Sequence, residues 1–358
     1  MKRYLTLFIL FFVNIISFAQ TLQGTVYDAA TKKPVSDAFV YLDGTAISTT
    51  TDVAGRFEMK TYGIINTQLI IHHLSYTPYS IPNPFQQIPE AIYLQVRERQ
   101  ISEAVVTADR FTRAQKMKAF KEQFLGITKA GASCEIMNED DIVISYDIKK
   151  QTLTAFSYNP IIVVNHHLGY RILFSLVDFK VQFSNGKIDH SCLKESFYAV
   201  TSSFTDLDPD NKTLLKRRED VYDHSLSRFY KNLTHHTLEK GQYKLFHRQN
   251  PINPNQYFEI KDSLFLKYVR ILPNTELNRS MPEIRINNIR QTVDISRTSI
   301  VTVLFKRRFQ TEINFYTQEF FVDEYGNIDA FDKIMYQGHF GELRAGDMLP
   351  LDYEPKTP

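Results

Sequence analysis

The sequence has no tryptophan, only two cysteines, and a formal net charge of just +2. Without Trp, a sugar-stacking platform lacks the ring that best combines an apolar face with a polar edge. Several signatures of common chemistry are also missing: there is no G-x-S-x-G elbow, no H-E-x-x-H, no phosphate-binding loop and no dinucleotide G-x-G-x-x-G. Together these absences favour a role without catalysis. On pattern alone no residue is assigned to catalysis, to a cofactor or to a metal. Apolar runs long enough to span a bilayer are lacking too. The nearly apolar stretch Leu5–Val13 is broken by Asn14 and Ser17, well short of the ~20 residues a membrane helix needs.

That stretch reads instead as the centre of an export signal over residues 1–19. Lys2 and Arg3 form its positive start, and Ser17-Phe18-Ala19 is a small-x-small cleavage site before Gln20. No Cys follows the site, so a lipid-anchored mature terminus is not expected. Removing Lys2 and Arg3 takes Lys+Arg from 42 to 40, equal to the 40 Asp+Glu, so the mature chain is neutral. A neutral chain carries no electrostatic footprint for nucleic acid. The basic triplets Lys216-Arg217-Arg218 and Lys306-Arg307-Arg308 read as solvated element ends. The expected setting is the periplasm or an outer-membrane-associated site, with no transmembrane helix.

What the chain does have is aromatic bulk, 27 Phe and 20 Tyr, and a turn-rich β pattern near its start. The runs Thr25–Tyr27, Phe39–Leu42 and Arg56–Met59 are separated by Asp, Pro and Gly at short intervals, and Gln68–His73 and Ala91–Val96 add further strands. Such spacing describes a small antiparallel sandwich. The motifs G-x-V-x-D at Gly24–Asp28, P-x-x-x-A-x-V at Pro34, Ala38 and Val40, and T-D-x-x-G-x-F at Thr51–Phe57 resemble the carboxypeptidase-like regulatory domain, which is transthyretin-like. The resemblance runs from Leu22 to about Val96. Where such domains commonly carry Gly-Tyr, this chain has Ser75-Tyr76. The resemblance implies a module and an envelope setting; it implies no reaction.

The next segment, Ile101-Ser102-Glu103-Ala104-Val105-Val106-Thr107-Ala108, looks like the junction after this module in TonB-dependent receptors. About 250 residues follow it, too few for a plug and a twenty-two-stranded barrel, so it reads as a reused linker. Thr112 and Gln115 are spaced as a capping box, Met117, Phe120 and Phe124 recur at helical spacing, and Gly126 is placed to end that helix. Val177–Phe183 alternates, putting Val177, Phe179, Val181 and Phe183 on one face, and Ser184-Asn185-Gly186 turns it. A second helix is expected over about Thr213–Lys240, with Tyr222, Leu226, Phe229 and Leu233 on one face and Gly241 at its end. Strands follow at Ile284–Ile295, Ile300–Lys306 and Glu312–Val322, with a turn at Asp323–Asn327.

The expected plan is an export signal over 1–19, the regulatory β-sandwich over 20–98, a linker and helix over 99–128, and an α+β domain over 129–358, the chain beyond the sandwich having antiparallel strands and two helices in all. With Phe124–Thr128 and Leu349-Pro350-Leu351-Asp352-Tyr353, this arrangement resembles a family of exported regulatory-domain proteins of unassigned activity.

Three constellations were weighed for chemistry. His236-x-x-Glu239 matches the short zinc-ligand pair of carboxypeptidases, but the sandwich comes first here and the region is not βαβ, so a helix-end His is favoured. The pairs His72-His73, His166-His167 and His235-His236 diverge on any regular element and do not chelate one ion as neighbours. Asp206-x-Asp208-x-Asp210 begins like a calcium loop, but Pro209, Asn211 in place of Gly and Arg217 at position twelve argue for a loop in which Asp210 or Asn211 caps a helix. For Cys134 and Cys192, a disulfide within the second domain and two buried free thiols stand as equal alternatives. The function expected is a non-enzymatic envelope binding or scaffolding protein, its partner an envelope protein or glycan. The alternatives are a periplasmic hydrolase acting on peptide or glycan, and an accessory partner of TonB-linked transport.

Overall fold

The computed structural model describes residues 20–97, 110–247, 250–272 and 299–355. The signal at 1–19, the junction at 101–108 and the strand expected at 284–295 lie outside the described residues. The chain divides into two compact units. Of the described residues, the first comprises 20–41, 47–64 and 68–97; the second takes 42–46, 65–67 and those from 110 onward.

The first unit holds β1 (Gln20–Asp28), β2 (Phe39–Leu42), β3 (Ser48–Thr50), β4 (Arg56–Thr61), β5 (Leu69–His72), β6 (Tyr79–Ile81) and β7 (Ala91–Leu94) in two sheets, β4-β1-β7 and β3-β2-β5-β6. Strand β4 shows why: Phe57, Met59 and Thr61 are buried while Arg56, Glu58 and Lys60 alternate outward. One pair departs from the antiparallel expectation, since β1 runs parallel to β7, with Thr25 opposite Ala91.

The motifs act through local hydrogen bonds. Asp28, the Asp of G-x-V-x-D, accepts from the backbone of Ala30 and Thr31, the Thr31 hydroxyl and, at 2.9 Å, the Tyr76 hydroxyl. Asp52 accepts from Ala54 and Arg56 amides and from the Arg56 guanidinium. Gly55 closes that turn at φ +72°, where an added Cβ would lie 2.4 Å from the Val26 carbonyl. Ser75, in place of the usual Gly, costs nothing because its φ is not positive.

The second unit contains β8 (Cys134–Ile136), β9 (Ile142–Asp147), β10 (Thr152–Ser157), β11 (Ile161–Asn165), β12 (Tyr170–Phe183) and β13 (Leu193–Asp206) in one six-stranded sheet. Strand β12 is its spine. It pairs with β13 along one edge, and with β11 and then β10 along the other. Helix α1 (Arg113–Phe124) starts in the expected Thr112–Gln115 capping box and ends at Gly126, φ +92°. It lies on this sheet: Phe120 packs tilted against Phe179, ring centres 4.8 Å apart, and Phe124 meets Phe174 and Tyr198 edge-on. The short helix α2 (Lys129–Ala132) leads into β8.

The alternation expected over Val177–Phe183 holds for Phe179, Val181 and Phe183, all buried, but Val177 is 70% exposed. A bulge explains it. The register with β13 slips between Leu176 and Asp178, so Val177 is the extra residue and the buried phase shifts from even to odd positions. The turn that follows is as expected, with Asn185 and Gly186 both at positive φ.

The single helix expected over 213–240 is two: α3 (Lys212–Asp223) and α4 (Leu226–Thr234). Ser225 divides them, because its hydroxyl accepts from the Arg228 amide and caps a new helix. Beyond them lie β14 (Tyr243–His247), β15 (Asn250–Pro251), α5 (Pro254–Tyr257), β16 (Phe258–Ser263), β17 (Leu266–Ile271), β18 (Ser299–Phe305), β19 (Phe309–Phe315), β20 (Glu319–Val322), β21 (Ile334–Gly338) and α6 (His339–Glu342). They form two sheets, β15-β14-β18-β19-β21 and β16-β17-β20, around a second apolar core that includes Phe229, Tyr230, Phe305 and Phe315. The strand expected over Glu312–Val322 is therefore split between sheets, β19 in the first and β20 in the second. The described residues hold six α-helices instead of two, three of them single turns.

Segments 42–46 and 65–67 are tied into the second unit by long-range bonds. Leu351 donates to the Gly44 carbonyl at 2.8 Å, Ala46 to Asp352 at 3.2 Å and Asn66 to Asp323 at 2.8 Å.

Candidate functional site

The histidines and acids with ligand-like spacing fall in separate places. His236 sits at φ +55°, past the end of α4, so it and Glu239 do not share a helix face; its ring meets Asn255 instead. His166 pairs with Glu135 in solvent, and His235 bonds the Lys231 carbonyl. His72 is buried in β5, where desolvation lowers its pKa to about 4, aided by Arg97 and His73. Among the described residues no three His, Cys, Asp or Glu side chains converge as a metal site.

The candidate calcium loop is put to structural use. Asn211 caps α3, accepting from the Thr213 and Leu214 amides. Asp206 faces Arg218 in a two-pronged bond, 2.7 Å on each arm. Arg218 also donates to the carbonyls of Leu168 and Gly169 and lies 4.0 Å from the Tyr170 ring centre. It is 2% exposed, which corrects the reading of Lys216-Arg217-Arg218 as a solvated run. The other triplet is also engaged in part: Lys306 bonds Asp223 and Arg308 lies over Phe309.

Cys134 and Cys192 are free thiols. Cys134 opens β8 and Cys192 directly precedes β13, and β11 and β12 stand between those strands. Of the two, Cys134 has the more reactive-looking surroundings, because Asp347 lies near both it and His167. Its sulfur, however, donates to the Ala130 carbonyl at 3.4 Å. Burial first, and Asp347 second, push the thiol up to about 12. A thiol held in its protonated form is a poor nucleophile. Asp347 is itself occupied, accepting from the Thr128 hydroxyl at 2.5 Å and the Arg344 amide at 3.1 Å.

An open groove of about 790 Å³ runs beside α1. Its lining includes the apolar Met117, Leu125 and Ile127 and the charged Lys118, Lys121 and Glu139. Lys121 is bonded to Glu139, Lys118 pairs with Glu122 at 3.7 Å, and Arg113 donates to the carbonyls of Glu139 and Ile142. Ile127 is 60% exposed at the groove. No sequence signal marked this groove, because it forms where the start of β8 and the turn at 139–141 return beside α1.

The comparisons with known proteins bear on the first unit. Residues 22–107 match the CarboxypepD_reg-like domain. The chain carries that module at its amino-terminal side. No curated protein matches the chain. Among solved structures it has a likeness to a 9R-lipoxygenase from Cyanothece PCC8801, 11% identical, covering 60% of this chain and 48% of that one, at a TM-score of 0.18. At that score the likeness carries no argument. Among the described residues no helix is long and apolar enough to cross a membrane.

Proposed function

We propose that the protein is an exported, non-enzymatic component of a cell envelope, in which the CarboxypepD_reg-like module precedes an α+β unit that binds or scaffolds an envelope protein or glycan. Residues 1–19 direct export and are removed before Gln20, leaving the protein in the periplasm or associated with the outer membrane. In the module, the two sheets pack face to face as a transthyretin-like sandwich, a packing that fits the alternating burial along β4.

The observation that carries the reading is the match of residues 22–107 to that module. It is supported by the state of the second unit's reactive groups: Cys134 is a protonated donor, Asp347 is engaged by Thr128 and Arg344, and Arg218 is spent on Asp206. The groove beside α1 is the surface we assign to the partner.

Photo-crosslinking tests this in cells. A photoreactive residue replacing Ile127 or Lys118 is expected to capture one envelope component, whereas the same residue at exposed Val53 does not. Recovery of mature protein beginning at Gln20 from the envelope fraction is expected alongside. Hydrolysis of peptide or glycan by the purified protein, or equal capture at all positions, would overturn the proposal.

A further inference from the structure

His224 ends α3, and His339 opens α6. Their rings meet directly: Nδ1 of His224 lies 3.1 Å from Nε2 of His339, with the ring planes at 76°. Aromatic rings enclose the pair. Phe309 touches both, 4.7 Å from His224 and 4.6 Å from His339; Phe305 stands edge-on to His224, and Phe340 flanks His339. A nitrogen-to-nitrogen hydrogen bond needs one N–H and one lone pair. Two neutral imidazoles satisfy it, and so does a pair carrying one extra proton. A pair with both rings charged has two donors and no acceptor.

We propose that the His224–His339 pair is an acid-sensitive latch that holds α6 and the β18–β19 hairpin against the end of α3, and that opens when both rings are protonated. The charges around the pair favour opening. Lys306 and Arg228 face His224 from the hairpin and from α4, and Arg308 covers the far ring of the cage, Phe309. Of the acids, Asp223 is already shared between Lys306 at 3.2 Å and Arg228 at 3.2 Å. That leaves Asp220 toward His224 and Glu342 toward His339. Burial lowers the pKa of both rings, with Lys306 acting next on His224 and His224 next on His339. The pair is therefore neutral and closed near pH 7.5. It titrates as a coupled unit whose second step falls below the ordinary imidazole range.

The test uses the full chain. Imidazole nitrogen NMR between pH 8 and 4.5 should show His224 and His339 titrating together with a depressed second step. Amide exchange, corrected for intrinsic rates, should rise several-fold in 305–309 and 334–342 on going from pH 7.5 to 5. His339→Gln and His224→Gln should each remove that rise, while His235→Gln should leave it in place. The proposal is overturned by independent titrations in the ordinary imidazole range. Equal protection of both segments at the two pH values also overturns it. Because both readouts are made on the unmutated protein, misfolding of a variant does not shield it.

Discussion

The guanidinium of Arg218 and the carboxylate of Asp206 form a bidentate pair, both arms at 2.7 Å, with the Arg side chain sealed from solvent. The pair ties α3 to the end of β13, and the two further bonds to Leu168 and Gly169 carry it to the turn that opens β12. Removing either partner takes the opposite charge from the other. Arg218→Ala is expected to cost about 3 kcal/mol or more in urea unfolding. Arg218→Lys should recover little of this, since an ammonium cannot make the planar fork or lie over Tyr170 in the same way. Stability of Arg218→Lys equal to that of the unmutated chain would show that the fork is not what matters.

Gly55 offers a cleaner backbone experiment. Its φ of +72° and the 2.4 Å approach of a Cβ to the Val26 carbonyl leave no room for a side chain. Gly55→Val should lower stability by about 1–3 kcal/mol. A melting curve superimposable on that of the unmutated chain would mean that the turn has another geometry in solution.

The thiols can be counted. Ellman titration in denaturant without reductant should find two per chain, matching the free state of Cys134 and Cys192. In the native protein Cys134 should resist alkylation at pH 8, because burial pushes its pKa up to about 12. Rapid native labelling of Cys134 would argue against its bond to the Ala130 carbonyl.

His72 makes the module's stability fall in acid. Its folded pKa, about 4, lies below the ordinary imidazole value, so the unfolded chain takes up the proton first. The contribution is complete above about pH 6.5 and is lost as pH falls toward 4. Ring NMR should therefore find His72 neutral at pH 5, and His72→Gln should flatten the stability profile between pH 6.5 and 4. A His72 titration midpoint near 6.5 would refute this.

Some of the fold was legible because the residues concerned act over a few positions. The Thr51–Gly55 turn, the Thr112–Gln115 box and the Asn185-Gly186 reversal each bond within their own segment. What was not legible depends on partners set by register. Val177 turns outward only because β12 slips against β13, and nothing in its neighbours announces the bulge. Arg218 reads as one of three surface charges until β12 and β13 deliver Leu168, Gly169 and Asp206 to it. The break at Ser225 was in principle visible as a capping residue, but the apolar stripe through Tyr222, Phe229 and Leu233 hid it. The groove along α1 and the His224–His339 contact both join segments that no local pattern relates.

The bonds from Ala46 to Asp352 and from Leu351 to Gly44 also order events in time. Ala46 and its acceptor are 306 positions apart, and Asn66 and Asp323 are 257 apart. A nascent chain grows from its amino end, so the Gly44 carbonyl and the Ala46 amide wait for Leu351 and Asp352, and the Asn66 amide waits for Asp323. If the protein crosses a membrane unfolded, that delay keeps the second unit incomplete during transit. These contacts then form only after residues 323–352 have crossed.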